Sequence, residues 1–240
     1  MADTTYGSEL SGGRDQAGRV KPWPKPLSGM FFDLDGTLAD SARDIHDALA
    51  ALCGERGVAV PGFEHVREVV SRGARAILRI AAGNDEAAVE DMLPRLLELY
   101  AATGMVNTHV FPGIETLLEK LEARGVRWGV VSNKNAGLVE QVMRKLGYAS
   151  RAAAMVGGDT LPQRKPDPAP LLHACRLAGV EPASCVFVGD DPRDIVAGRA
   201  AGMYTVAAAW GYLDGADPAA WQPDAIAVDA AEIEAWFAGA

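Results

Sequence analysis

The sequence predicts an α/β fold, a doubly wound parallel sheet with an α-helical domain inserted after its first strand. Two observations carry this. From Phe111 onward, short apolar runs alternate with helical patterns that close at glycine, as expected for parallel strands joined by covering helices. Between residue 41 and about residue 105, only helical periodicity is present.

The elements follow in chain order. Residues 1 to 28 are polar and end in Lys21-Pro22-Trp23-Pro24-Lys25-Pro26. Proline at every second position blocks both helix and sheet pairing, so this stretch reads as a flexible, extended tail. Met30-Phe31-Phe32, bounded by Gly29 and Gly36, reads as a buried parallel strand. Ser41 with Asp44 resembles a capping box that opens a helix. Helical faces then recur at Ile45, Leu49 and Leu52, and again at Val89, Met92, Leu93, Leu96, Leu97 and Tyr100. Past Phe111-Pro112-Gly113, strands are expected at 126–131, 153–156, 185–188, 204–208 and 225–228, with helices at 135–146, 168–178 and 192–201. The organisation is therefore a tail over 1–28, a core made of 29–43 and 107–240, and a helical cap over 44–106. Insertions of this kind often act as lids.

Bulk properties exclude several functions. The 240 residues carry a net charge of −9, which repels phosphate backbones and anionic lipid, so neither nucleic acid nor a membrane is an expected partner. No apolar run reaches the ~18 residues of a spanning helix, and no secretory leader is apparent. Cys53, Cys175 and Cys185 are odd in number and lack metal-ligand spacing. They read as reduced, buried thiols of a cytoplasmic protein. A monomer or a homodimer is expected.

Ligands of open parallel sheets bind at the carboxyl ends of the strands. The first strand ends in Asp33-Leu34-Asp35-Gly36-Thr37, the strand at 126–131 in Ser132-Asn133-Lys134, and the strand at 185–188 in Gly189-Asp190-Asp191, with Asp194 one turn further. Carboxylates gathered at one edge repel unless protons or a cation neutralise them. Hard oxygen donors suit Mg²⁺, whereas His and Cys ligands for transition metals are absent from these ends. Asp194 could equally cap a helix. In Arg164-Lys165-Pro166-Asp167-Pro168 the prolines fix a loop that holds a cation, and Lys165 could neutralise a phosphoryl group and a carboxylate.

Together, these four segments resemble the motifs of the haloacid dehalogenase superfamily of phosphatases, in order and over residues 29 to 228. The resemblance implies Asp33 as the nucleophile and Asp35 as the acid and base, with Ser132 and Lys165 completing the catalytic set. It implies Mg²⁺ held by the Asp33 carboxylate, the Asp35 backbone carbonyl and Asp190, with Asp191 and Asp194 in the surrounding shell. Thr37 and Asn133 are expected at the substrate. The acid at position 35 favours phosphate over haloacid chemistry.

Within the superfamily, the chain looks most like the phosphoglycolate phosphatase group, and closest to its N-acetylmuramic acid 6-phosphate branch. The segments that carry this are Val69 to Arg75, Asp190 to Asp194 and Trp210-Gly211-Tyr212. A small phosphomonoester is then the expected partner. Ser71 and Arg75, four apart on the cap, are expected to bind the substrate, Arg75 through a carboxylate. A phosphosugar mutase, a non-catalytic phosphate-binding module and a regulatory protein phosphatase are alternatives. The last fits poorly with an inserted cap, and the module fits poorly with the presence of both Asp33 and Asp35.

Overall fold

The computed structural model describes residues 23–83 and 85–238. The first strand, β1 (Gly29–Phe32), is followed by the two-residue β2 (Ala39–Asp40). The insertion holds α1 (Ala42–Arg56), α2 (Phe63–Val69), a 3-10 turn at Val70–Arg72, α3 (Ala74–Ala82) and α4 (Glu86–Ala102). The chain returns through β3 (His109–Val110), which pairs antiparallel with β2, Ala39 opposite Val110. This two-stranded stem was not legible as strands, because two residues carry no period.

The core continues as α5 (Ile114–Ala123), β4 (Arg127–Val131), α6 (Ala136–Lys145), β5 (Ala154–Val156), α7 (Ala169–Ala178), β6 (Cys185–Gly189), α8 (Pro192–Ala200), β7 (Tyr204–Ala208), β8 (Ala225–Ala227) and α9 (Ala230–Ala238). The expected strands and helices are present within a residue or two. Sequence reading passed over α5 and α9.

The six main strands form one parallel sheet in the order β5-β4-β1-β6-β7-β8. β1 lies at the middle, entirely buried, between β4 and β6. This order matters for the site: the residues that follow β1, β4 and β6 emerge side by side at one edge. One hydrophobic cluster runs from Met30, Phe32 and Val188 of the sheet into Leu49, Leu52, Leu78 and Leu96 of the insertion. A second, around Phe31, Phe187, Leu171 and Cys175, fills the opposite face. Both faces are therefore covered, as near-continuous apolar strands require.

The tail expectation needs correction at its end. Trp23 is buried against Tyr204 and Trp236, with ring centroids 5.3 and 5.9 Å away, and Ser28 N–H donates to the Ser184 carbonyl at 2.8 Å. The prolines do prevent regular pairing, but they leave the indole between them free to pack. Residues 1 to 22 lie outside the described residues. All three cysteines are free and buried. Among the described residues, no helix is long and apolar enough to cross a membrane.

Candidate active site

β1 delivers Asp33 to the sheet edge, and β6 delivers Asp190 beside it. Asp194 joins them from the first turn of α8. Oxygens of Asp33, Asp190 and Asp194 all lie within 4.8 Å of one another, and all three residues are buried. Asp190 accepts from Thr37 Oγ1 at 2.8 Å, Ser71 Oγ at 2.7 Å and the Tyr212 N–H at 2.9 Å. Burial, and next the charge of Asp33, still push its carboxyl up to about 7. Burial likewise raises Asp194 well above the usual carboxylate range, with Asp33, Asp190 and Asp191 adding to it against the pull of Lys165.

Lys165 meets Asp33 at 3.0 Å and Asp194 at 2.7 Å, at ion-pair distance though off the ideal hydrogen-bond directions. Burial is the strongest single influence on this ammonium and pushes its pKa down. The Asp194 and Asp33 charges together reverse that and leave it raised. One lysine against three buried carboxylates leaves negative charge in excess. An all-oxygen donor set with that excess fits a hard divalent cation. The three converging side chains are Asp33, Asp190 and Asp194, so Asp194, expected in the surrounding shell, stands among the oxygens that could hold a cation.

Glycine makes this crowding possible. A Cβ on Gly36, whose φ is +86°, would lie 2.1 Å from Asp190 Oδ2, and one on Gly211 would lie 2.2 Å from Asp190 Cβ. Only glycine lets the loops after β1 and β7 close onto Asp190 from both sides.

Asp35 faces elsewhere. Its carboxylate accepts from Lys134 Nζ at 2.7 and 2.8 Å and from the Ser41 hydroxyl. The Lys134 ammonium also sits 4.5 Å from the centre of the Tyr100 ring, on α4 of the insertion. Burial pulls the Lys134 pKa down most strongly, yet Asp35 and the other neighbours leave it raised. Lys134 was overlooked as a functional side chain, although its place directly after β4 could have marked it. Ser41 does not cap α1, since its hydroxyl goes to Asp35. The capping box expected with Asp44 is absent, and Asp44 instead accepts from Thr108 Oγ1 at 2.7 Å and the Asn107 N–H at 3.0 Å.

Several expected substrate contacts are engaged differently. Thr37 is fully buried and orients Asp190. Both ends of the Asn133 amide hold the Lys165 backbone, Nδ2 to the carbonyl at 2.9 Å and Oδ1 from the N–H at 3.0 Å. Ser132 Oγ lines the cavity and accepts from the Lys134 N–H at 3.3 Å. Ser71 reaches Asp190, as above. Arg75 also lines the cavity, but Glu90 of α4 holds its guanidinium in a fork at 2.6 and 3.0 Å.

Asp191 caps α8, its side chain accepting the Arg193 N–H, while Asp194 accepts the Asp191 N–H at 3.2 Å. Capping and clustering therefore coexist at Asp194. Arg193 forks onto Asp191 at 2.7 and 2.9 Å and donates to the Ser71 carbonyl. Tyr212 ties the same region to the base of the insertion. Its hydroxyl donates to Asp40 at 2.7 Å and accepts the Ser41 N–H at 3.0 Å. A cavity of about 580 Å³ lies between the carboxylate edge and the insertion, lined by Asp33, Asp35, Ser132, Lys134 and Lys165 below and by Val70 to Arg75 above.

Comparison with known proteins gives the family. Residues 30–208 match the haloacid dehalogenase-like hydrolase family. The chain is 46% identical over 199 residues to a phosphoglycolate phosphatase of Xanthomonas campestris pv. campestris, covering 82% of this chain and 90% of that one. It is 40% identical over 203 residues to the N-acetylmuramic acid 6-phosphate phosphatase of Pseudomonas aeruginosa, covering 83% and 90%. The crystal structure of a predicted phosphoglycolate phosphatase from Haemophilus somnus superposes with a TM-score of 0.79 at 27% identity, over 87% of this chain and 97% of that one. The chain is an enzyme of the haloacid dehalogenase-like hydrolase family, in the group that holds these phosphatases.

Proposed function

We propose that this enzyme hydrolyses a small phosphomonoester whose leaving group carries a carboxylate, 2-phosphoglycolate or N-acetylmuramic acid 6-phosphate, through a phosphoryl group held transiently on Asp33. The observation that carries the reading is the buried set Asp33, Asp190, Asp194 and Lys165 at the mouth of a cavity roofed by the insertion. A cavity of this size holds a small organic molecule and not a folded protein.

Asp33 is the nucleophile, and Lys165 pairs with it and offsets charge on the phosphoryl oxygens. Ser132 donates to a phosphoryl oxygen. Asp35 protonates the departing alkoxide and then takes a proton from the water that attacks the phosphoryl group on Asp33. Mg²⁺, held by Asp33, Asp190 and the Asp35 carbonyl with Asp194 beside them, would neutralise charge on the transferring group. The helices between β2 and β3 serve as the cap that excludes bulk water from the site.

Phosphate release from a panel with 2-phosphoglycolate, N-acetylmuramic acid 6-phosphate, common sugar phosphates and an aryl phosphate tests this reading. The expectation is Mg²⁺-dependent release, abolished by chelation, fastest with an acid-bearing ester. Full turnover after exhaustive chelation would remove the metal from the mechanism, and isomer formation in place of phosphate release would favour a mutase.

A further inference from the structure

We infer that Arg164 is the residue that recognises the carboxylate of the leaving group, and so determines specificity; this rests on the phosphatase reading above and adds the selective contact to it. The cavity is lined by six cationic side chains: Arg72, Arg75, Lys134, Arg164, Lys165 and Arg193. Five already face acids. Arg72 pairs with Asp214, Arg75 with Glu90, Lys134 with Asp35, Lys165 with Asp33 and Asp194, and Arg193 with Asp191. Arg164 lines the same cavity, is exposed, and among the described residues its guanidinium has no acidic or hydrogen-bonding partner.

That difference decides which cation gains from a substrate anion. A carboxylate that displaces Glu90 from Arg75 exchanges one fork for another, with little net change. At Arg164 the new contact replaces only solvent. An arginine fork also matches a planar carboxylate better than a lysine point charge does.

The placement supports the assignment. Consecutive Cα atoms lie about 3.8 Å apart, so Arg164 is tethered beside the residue whose ammonium grips Asp33. Its backbone is fixed on the side facing the site. The Lys165 N–H, which belongs to the peptide linking Arg164 to Lys165, donates to Asn133 Oδ1 at 3.0 Å, and the Arg164 carbonyl accepts the Asp167 N–H at 2.8 Å. A fixed anchor with an uncommitted guanidinium suits an arm that meets the end of a short substrate whose phosphoryl group lies on Asp33. Leu93 and Leu97 form part of the apolar lining of the same cavity.

The test compares each acid with its carboxamide, which is neutral and nearly equal in size: 2-phosphoglycolate against 2-phosphoglycolamide, and N-acetylmuramic acid 6-phosphate against the amide of its lactyl group. For the faster pair, the wild type is expected to favour the acid in kcat/KM. Arg164→Ala should cut that preference at least ~10-fold, mainly through KM, as expected for loss of a charged hydrogen bond. Arg164→Lys should restore part of it, and a merely structural role would not give that graded order. Retention of the wild-type preference within about twofold in Arg164→Ala overturns the inference and leaves the phosphatase reading standing. A wild type that hydrolyses acid and neutral esters equally overturns both the inference and the carboxylate-bearing substrate. No phosphate release from any ester, aryl phosphate included, overturns the phosphatase reading itself.

Discussion

Lys134 holds Asp35 with both carboxylate oxygens within 2.8 Å of its ammonium, and so fixes the side chain that stands two residues past the proposed nucleophile. The pair is nearly sealed from solvent, with 9% and 14% of the two side chains exposed, so it is far less screened than a surface ion pair. Lys134→Met leaves Asp35 with only the Ser41 hydroxyl to orient it. We expect kcat to fall about 10- to 100-fold on alkyl phosphates, whose leaving groups need the proton from Asp35, and much less on aryl phosphates. Equal losses on the two ester classes would assign Lys134 a structural role.

Asp33 and Asp35 should separate in the same way. Asp33→Asn removes the attacking carboxylate and should lower kcat at least ~10³-fold on every ester. Asp35→Asn should halt turnover of alkyl phosphates, yet still allow some phosphoenzyme to accumulate from an aryl phosphate. Intact-mass spectrometry of the quenched reaction checks this and also excludes reversion of the substituted amide to aspartate by deamidation. Near-wild-type turnover by genuine Asp33→Asn protein would refute the covalent route.

The carboxylate cluster links metal binding to pH. Burial, and next the charge of Asp33, push the Asp190 carboxyl from its ordinary 3.8 up to about 7. Between these values the folded protein holds a proton that the unfolded chain has released, so stability falls as pH rises through this window and levels off above it. A divalent cation replaces that proton. The rise in Tm produced by millimolar Mg²⁺ should therefore be small near pH 5, grow through pH 7 and plateau near pH 8. Comparison with and without Mg²⁺ at each pH cancels the titration of acids outside the cluster. A Mg²⁺ effect that is constant across this range would show that Asp190 does not exchange a proton for the metal.

Trp23 packs its indole into the core against Tyr204 and Trp236. Deletion of residues 1 to 22 keeps the indole against Tyr204 and Trp236, and thermal melting should be nearly unchanged. Deletion of residues 1 to 26 removes it and should cost about 3 kcal/mol, as for loss of a buried aromatic side chain, or about 10 °C in Tm. Trp23→Ala in the full chain should match the longer deletion. Equal melting of all three proteins would show that the indole contributes nothing.

The same residues show what a sequence can and cannot disclose. Asp33, Ser132 and Asp190 were legible because strand ends of a parallel sheet share one edge, and the strands were marked by their apolar runs; Lys165 was marked instead by the prolines around it. The side-chain pairings were not legible. Nothing local says that Ser41 turns to Asp35 instead of capping α1, or that Glu90, 15 residues away, takes Arg75. Thr37 looked like a ligand-facing hydroxyl until the loops after β1 and β7 closed over Asp190. The two-residue stem of β2 and β3 was invisible for a simpler reason, since its two strands lie on either side of the whole insertion and neither has a pattern.

Arg193 is one of the residues that tie the insertion to the core. Its guanidinium is anchored on Asp191 at the start of α8 and donates to the Ser71 carbonyl in the 3-10 turn of the insertion. Because the acceptor is backbone, no change at Ser71 itself removes this bond, whereas Arg193→Met does. Amides of residues 70 to 76 should then exchange with solvent several-fold faster, and KM should rise more than kcat falls, since the phosphoryl-handling residues are untouched. Asp191→Asn provides a second route to the same result. Asparagine still caps a helix N-terminus, so α8 should persist, but the charged anchor of Arg193 is lost. It should therefore reproduce part of the Arg193→Met effect through a residue that does not contact the insertion. If hydrogen exchange at 70 to 76 is unchanged in Arg193→Met, the turn is held by Ser71 Oγ on Asp190 and by Arg72 on Asp214, and the Ser71→Ala, Arg72→Ala double variant becomes the one that should release it.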